Sequence, residues 1–193
     1  MSMNAEKQAV FDAAVALTGM RNLASLTKQY VEFVTSELHA SNWFEKDVGH
    51  AILSPTICDT ETGAMTAQVS LRRITGVYSK SATGNTKHTV CMGLSSYLDS
   101  KAKAKALLVG NNLTVTLPYG TQSVLVEGVK RVDVSDTGYN SWMESEFPGV
   151  VSQEVAARVL ESVNDGTSTT HKRNAKMSYL RMLEGGVLLK MPE

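Results

Sequence analysis

The clearest pattern in this chain is an alternation of apolar and polar residues that begins at Asn112. An alternation of period two is typical of a strand that buries one face. The apolar positions of this first run are Leu113, Val115 and Leu117. Pro118, Tyr119 and Gly120 follow them and have the composition of a turn. The run therefore predicts a strand that ends in a tight turn.

A second β-rich run continues from this turn to Val134. Its alternation shifts by one position at Gly128, where we expect a β-bulge. Two strands joined by a Pro/Gly turn predict an antiparallel hairpin over residues 112–134. In this hairpin we place Val124 and Val126 on opposite faces.

Helical spacing of apolar residues is concentrated towards the two ends of the chain, with one further segment in the middle. The predicted helices cover residues 5–18, 22–39, 96–108, 136–147, 152 to about 166, and about 170–184. Asn4 is a candidate N-cap for the first helix and Gly19 a candidate stop, and Ser152 is the expected cap of the fifth. We expect the first two helices to form an arm that covers a sheet or docks on another subunit.

The remaining β pattern predicts strands on both sides of a polar loop. Residues 64–78 and 87–94 are expected to pair as a second hairpin around a loop at 80–85. Residues 48–58 contain Pro55, which favours an edge strand, and residues 187–191 are a candidate closing strand.

These elements predict an α+β fold. It would contain one antiparallel sheet of about five strands, helices at the N-terminus, one inserted helix and a C-terminal helical region. The expected domains are an N-terminal helical arm, residues 1–45, and an α+β core domain with the C-terminal helices, residues 46–193.

Charge is balanced over the 193 residues, with 19 Lys plus Arg and 19 Asp plus Glu, but it is uneven along the chain. Residues 1–61 hold 4 basic and 8 acidic side chains, and residues 127–165 hold 3 and 8. Residues 62–126 hold 7 and 1, and residues 166–193 hold 5 and 2. Alternating acidic and basic surfaces are suited to head-to-tail self-association.

Two cysteines, Cys58 and Cys91, provide no disulfide framework, so a reducing compartment is expected. We find no signal peptide and no apolar run of membrane-spanning length, which favours a cytoplasmic or virion location without membrane contact.

The two cysteines could form a zinc site with His50 and His88. However, His88 and Cys91 lie three apart on a predicted strand and would face opposite sides. We therefore predict no metal and no cofactor.

The motifs typical of enzymes are missing or isolated. Ser25 and Lys28 have the spacing of some acyl-enzymes, but the companion motifs are absent. The acidic pairs Asp59 with Glu61 and Asp133 with Asp136 lie in predicted turns. Aspartate favours turns because its side chain can hydrogen-bond to the nearby backbone. There is no phosphate loop, nucleophile elbow or dinucleotide fingerprint. We predict no catalytic residue and no enzymatic activity.

The two basic segments are the best candidates for a functional surface. No acidic residue occurs between Gly63 and Leu98, and basic side chains near an aromatic one suit single-stranded nucleic acid, through phosphate contacts and base stacking. The predicted nucleic-acid-binding residues are Arg72, Arg73, Tyr78, Lys80 and Lys87 on the hairpin, and Lys172, Arg173 and Lys176 on the last helix. The alternative is an ordinary solvated surface. Because Arg72 and Arg73 are adjacent on a strand, we expect one to reach phosphate and the other to pair with an acid or face solvent.

Together these features predict a non-enzymatic, self-assembling structural protein of viral or bacteriophage origin, a coat or nucleocapsid-like subunit whose basic hairpin faces nucleic acid. The alternative is a replication or recombination accessory protein that binds single-stranded DNA or RNA. A homo-oligomer is expected in both cases.

Overall fold

The structure, a computed structural model, describes residues 3–55, 58–59, 63–132 and 139–188, without the side chains of residues 58 and 59. The chain forms two compact units. The helical unit consists of residues 1–46 and 132–193, and the β unit consists of residues 47–131. The predicted α+β class is confirmed.

Six helices are found in the part of the chain that the structure describes. They are α1 (Ala5–Thr18), α2 (Ala24–Ser41), α3 (Leu94–Asp99), α4 (Trp142–Glu146), α5 (Pro148–Ser162) and α6 (Ser168–Glu184). All but α3 belong to the helical unit, where α5 packs against α1, α2 and α6. Val151, Val155 and Val159 recur every four residues on α5 and are fully buried in the helical core.

The ends of the first helix are those that the sequence predicts. The Asn4 side chain accepts a hydrogen bond from the Lys7 backbone N–H at 2.8 Å. Gly19 has a φ of 67°, the left-handed conformation that glycine adopts most readily at a helix C-terminus. The predicted cap of α5 is wrong, because Pro148 occupies the first turn and Ser152 lies buried inside the helix.

The β unit contains two sheets. Its described strands are β1 (Val48–Leu53), β2 (Cys58–Asp59), β3 (Ala64–Gln68), β4 (Leu71–Ser81), β5 (Gly84–Lys87), β6 (Thr89–Cys91), β7 (Lys105–Val109), β8 (Asn112–Thr116) and β9 (Thr121–Lys130). A four-stranded sheet has the order β1-β9-β4-β5, and a five-stranded sheet has the order β2-β3-β8-β7-β6. Side chains of both sheets share one core, so the single sheet expected from the sequence is in fact two.

The prediction over residues 112–134 is correct in the existence of two strands, β8 and β9, but wrong in pairing them with each other as a hairpin. β8 pairs with β3 and β7, whereas β9 pairs with β1 and β4. The turn at Pro118 to Gly120 therefore carries the chain from one sheet to the other. Val124 and Val126 are both fully buried in the core, so placing them on opposite faces was also wrong, since residues two apart on a strand share a face.

The irregularity expected at Gly128 lies on the neighbouring strand. Gly128 is opposite Ile74, and the next pair joins Glu127 to Gly76, so β4 carries the extra residue, Thr75. A Cβ atom on Gly128 would lie 2.2 Å from the carbonyl oxygen of Arg73. Glycine is needed here because the two backbones approach so closely.

The helix predicted over residues 96–108 is correct in its first four residues and wrong in the rest. α3 ends at Asp99, and β7 follows as a strand parallel to β6. The alternation of Ala and Lys before Leu107 fits a strand as well as a helix, and pairing with β6 and β8 selects the strand. The long strand predicted over 64–78 is divided between β3 and β4, which lie in different sheets.

Other local predictions agree with the structure in whole or in part. β1, which precedes Pro55, is an edge strand as predicted. The second predicted hairpin is correct in that β4 pairs with the strand after the polar loop, but that strand is β5, and residues 89–91 of the predicted return strand form β6 in the other sheet. The C-terminal helices, expected to belong with the sheet, pack with the N-terminal helices instead. Leu188 forms an isolated bridge with Phe44. The rest of the predicted closing strand, and residues 133–138, lie outside the described residues.

Candidate nucleic-acid interface

The hairpin of β4 and β5 presents Tyr78, Lys80 and Lys87 on one face of the four-stranded sheet. Tyr78 lies opposite Lys87 on β5 and opposite Leu125 on β9. Leu125 in turn lies opposite Ile52 on β1, so one row crosses all four strands. Because the intervening positions belong to the core, this row lies on the outer face of the sheet.

A second row on this face is polar. Lys80 lies opposite Ser123 on β9 and Asn85 on β5. Lys80 and Lys87 are both exposed, and β4 and β5 contain no acidic residue. We call the face that carries these two rows the outer sheet face.

The ring of Tyr78 lies along the sheet rather than projecting from it. A Cβ atom on Gly76 would be 2.8 Å from Cε2 and 3.0 Å from the hydroxyl oxygen of Tyr78, and 3.2 Å from a carboxylate oxygen of Glu127. Glycine at this position therefore lets the ring rest on the backbone. Tyr78 is only half-buried, so part of the ring remains open to a ligand.

Arg73 lies nearer the start of β4. It is half-buried, lies opposite the fully buried Val129, and lines a small cleft with Val90, Met92 and Leu108. Its pairing position on β9 is six residues from that of Lys80, a span of about 20 Å. The basic side chains thus cover a length sufficient for several nucleotides.

Arg72 has a different role from its neighbour. Its guanidinium lies 3.7 Å from a carboxylate oxygen of Asp47, which is buried. Burial lowers the pKa of Arg72, and the charge of Asp47 opposes this effect. The expectation that one of the two arginines pairs with an acid is confirmed for Arg72, and we do not include it in the candidate interface.

The second basic set lies on α6, in the helical unit. Lys172 donates a hydrogen bond to Glu161 at 2.6 Å, and this interaction lowers the pKa of the Glu161 carboxyl. Arg173 and Lys176 are exposed. The two predicted sets of basic residues therefore belong to different units, and we assign the candidate interface to the β unit.

The division into units also separates the charge. Residues 47–131 contain nine Lys and Arg and five Asp and Glu, a formal charge of +4. The helical unit contains ten Lys and Arg and fourteen Asp and Glu, a formal charge of −4. The outer sheet face thus belongs to the positive half of the molecule.

A buried polar cluster in the helical unit was not predicted from the sequence. Thr35 donates a hydrogen bond to Glu144 at 2.9 Å, and burial raises the pKa of this carboxyl, an effect that Thr35 and nearby charges partly offset. The Ser141 hydroxyl lies 2.9 Å from Nε2 of His39 and accepts a hydrogen bond from the Met143 N–H. These residues join α2 to the start of α4, and their separation of about a hundred positions leaves no local signal in the sequence.

Among the residues whose side chains are described, no group of three or more His, Cys, Asp and Glu could hold a metal ion. The side chain of Cys58 is outside that set, while His88 and Cys91 are buried. No helix in the described ranges is long and apolar enough to cross a membrane. Neither the comparison with protein-family models nor the search of curated proteins finds a match to this chain.

Proposed function

We propose that this protein is a non-enzymatic, self-assembling structural protein that binds single-stranded nucleic acid through the outer sheet face. The observation that carries this proposal is the convergence of Tyr78, Lys80 and Lys87 on one face of a hairpin that has no acidic side chain. In the proposed role, the chain is a coat or nucleocapsid-like subunit of viral or bacteriophage origin, in a virion or the host cytoplasm.

The chemistry of the face favours a single strand over a duplex. Lysine and arginine bind phosphate on either, but an aromatic ring lying on a sheet can stack only on bases that are not already paired and stacked. Tyr78 and its neighbour Leu125 provide such a surface, with Lys80 and Lys87 beside it. Arg73 supplies a further phosphate contact along the same strand.

The separation of charge supports the assembly part of the proposal. A β unit of +4 and a helical unit of −4 allow copies to associate with unlike charges in contact. The alternative, a soluble accessory protein of replication or recombination, uses the same outer sheet face. The two candidates differ in whether copies form a large assembly, which the mass in solution distinguishes.

The first experiment measures the ultraviolet absorbance of the purified protein before and after nuclease treatment. Co-purifying nucleic acid would raise the absorbance at 260 nm, and nuclease would remove the excess. The second measures binding of a labelled oligonucleotide by fluorescence anisotropy over a range of salt concentrations. We expect the logarithm of the affinity to fall with the logarithm of salt, by about 0.7 for each phosphate contact.

Three variants test the interface. Changing Arg73, Lys80 and Lys87 together to Gln should flatten the salt slope by about 2. Lys80 and Lys87 are exposed and so contribute little to stability, and circular dichroism melting checks that the protein also tolerates loss of the half-buried Arg73 charge. Tyr78→Leu should weaken binding by about 5- to 150-fold, the loss of one stacked base, with the slope unchanged. The matched control changes Arg21, Lys28 and Lys46 of the helical unit to Gln. Equal effects of control and test variants, or no affinity of the wild type at low salt, would exclude this interface.

A further inference from the structure

An exposed apolar cluster lies on and beside α3, at the surface of the β unit. Met92 is 79% exposed, Leu94 is 61% exposed and Leu98 is 67% exposed. Leu94 and Leu98 are four residues apart on α3 and therefore share a face of the helix. We call these three residues the α3 prong.

Tyr97 and the C-terminal end of α3 anchor this helix to the rest of the β unit. The Tyr97 and Thr116 hydroxyl oxygens are hydrogen-bonded at 2.8 Å. The Lys105 ammonium donates to the carbonyl oxygens of Tyr97 at 2.6 Å and Ser100 at 3.2 Å, and it lies 4.7 Å from the centre of the Tyr97 ring. The prong is thus held in place, and exposed apolar clusters on a well-anchored element are typical of interaction surfaces.

The helical unit contains an apolar groove between α2, α5 and α6, with a volume of about 530 Å³. Its apolar lining includes Val34, Leu38, Ala40, Val150 and Ala175. We call this the α2–α5–α6 groove. A concave apolar surface of this size has the dimensions of a site that buries a compact apolar group.

The edge of this groove is charged on its α2 and α5 sides. Arg158 contacts Glu37 and Glu154, each at 3.0 Å, so these three side chains carry one net negative charge. Lys176 stands on the α6 side. With Lys176 included, the charged side chains of the lining sum to zero, so the negative charge that favours a basic partner is that of the helical unit as a whole, formally −4.

We propose that the α3 prong of one copy of this chain docks in the α2–α5–α6 groove of another copy. Apolar side chains would enter an apolar groove, and the exposed Lys101 and Lys103, which follow α3, would approach Glu37 and Glu154. The unlike charges of the two units favour the same pairing. A second copy is therefore the occupant that the charges and the apolar surfaces both fit.

This contact joins two different surfaces, so each docked pair leaves one prong and one groove free. Such heterologous contacts build closed rings or open filaments rather than two-fold dimers. The inference rests on the self-assembly in the proposed function and specifies the surfaces that produce it. The prong and groove variants change none of Tyr78, Lys80 and Lys87, so nucleic-acid binding can be measured separately.

The test measures mass by analytical ultracentrifugation over a concentration series of nuclease-treated full-length protein. The prong variant carries Leu94→Glu with Leu98→Glu. The groove variant carries Ala40→Trp, a larger side chain at an exposed position of the lining. Each variant alone should associate at least about 30-fold more weakly than the wild type, the effect of removing hot-spot contacts. The matched control, Met177→Glu with Leu180→Glu, removes two exposed apolar side chains of α6 and should assemble like the wild type.

Mixing the two variants gives the decisive result. The prong variant retains its groove and the groove variant retains its prong, so an equimolar mixture should form a one-to-one dimer that grows no further. Circular dichroism melting first establishes that both variants are folded. Wild-type-like assembly of the prong variant, or no dimer from the folded mixture, would overturn the docking inference and leave nucleic-acid binding unaffected.

Two further outcomes would also overturn it. A wild type that stays monomeric at every concentration would exclude both this contact and the assembly part of the proposed function. The anisotropy measurement would still test nucleic-acid binding. Binding of the monomer to phosphatidylserine vesicles that is lost in the prong variant would identify a lipid surface as the partner in place of a second copy.

Discussion

Two glycines control how closely groups approach one another in the four-stranded sheet. Gly128 allows the carbonyl of Arg73 to reach the opposite strand, and Gly76 allows the ring of Tyr78 to lie on the backbone. In both places any larger residue would separate the two groups. We infer that the position of Tyr78, and so its availability for stacking, depends on the missing side chain at Gly76.

Val126 provides the simplest test of the core. It is fully buried between the two sheets, so Val126→Asp would place an unpaired carboxylate in apolar surroundings. We expect a loss of roughly 3–5 kcal/mol in the free energy of unfolding, measured by urea titration. Ser123→Asp, on the outer side of the same strand, is the control and should cost much less. An unchanged urea midpoint for Val126→Asp would mean that this side chain is not in the core.

His88 should make the stability of the β unit depend on pH. The side chain is 3% exposed, and its ring nitrogens make no hydrogen bond of ordinary geometry within the described part of the chain. Burial lowers the pKa of His88 below its usual value, and the nearby Lys105 backbone offsets this only in part. Below about pH 6.5, the unfolded chain therefore takes up a proton that the folded chain does not.

We expect the contribution of His88 to the free energy of unfolding to be constant above that pH. As the pH decreases below it, this contribution should lower the free energy of unfolding by at most about 1.4 kcal/mol per pH unit. His88→Leu should remove this dependence and cost little at pH 7.5, because no hydrogen bond is lost. Comparing the variant with the wild type by urea titration at each pH also cancels the opposite effect of Glu144, whose pKa is raised. Parallel pH curves for the two proteins would contradict the prediction.

At the scale of elements, the sequence predicts local features well and pairing poorly. Asn4 and Gly19 act within one turn of the chain, so the limits of α1 follow from their own chemistry. The turn between β4 and β5 lies within the polar loop predicted at 80–85, although the strands extend further into that loop than predicted. By contrast, nothing in the composition of Pro118 to Gly120 distinguishes a hairpin from a crossing between sheets, because that choice depends on which distant strands offer free edges.

The N-terminal helices should be indispensable for the helical unit. Val10 and Ala14 of α1 and Val31 and Val34 of α2 are fully buried in the core that also contains the valines of α5. Deleting residues 1–40 would expose those valines, and we expect aggregation or loss of any defined assembly. The measurement is size-exclusion chromatography with light scattering. A soluble assembly of normal mass after this deletion would show that the arm is not required.

At the scale of the whole molecule, part of the candidate interface follows from strand alternation alone. Tyr78 and Lys80 are two residues apart and must share a face of β4, whereas the choice between Arg72 and Arg73 required the position of Asp47. The α3 prong was not predicted, because the sequence indicated one helix over residues 96–108 without showing which of its faces would be exposed. Apolar spacing identifies a face of a helix but cannot indicate whether that face is covered.

The insertion of the β unit between the two parts of the helical unit has a consequence for the order of folding. The β unit is continuous, and its last strand, β9, is required by both β1 and β4. During synthesis α1 and α2 leave the ribosome before the β unit, and the entire β unit is made before α5 is. Until α5 is made, α1 and α2 lack the helix on which they pack, and their apolar faces are open to chaperones and to neighbouring nascent chains. The helical unit can close only once α5 and α6 have also been released.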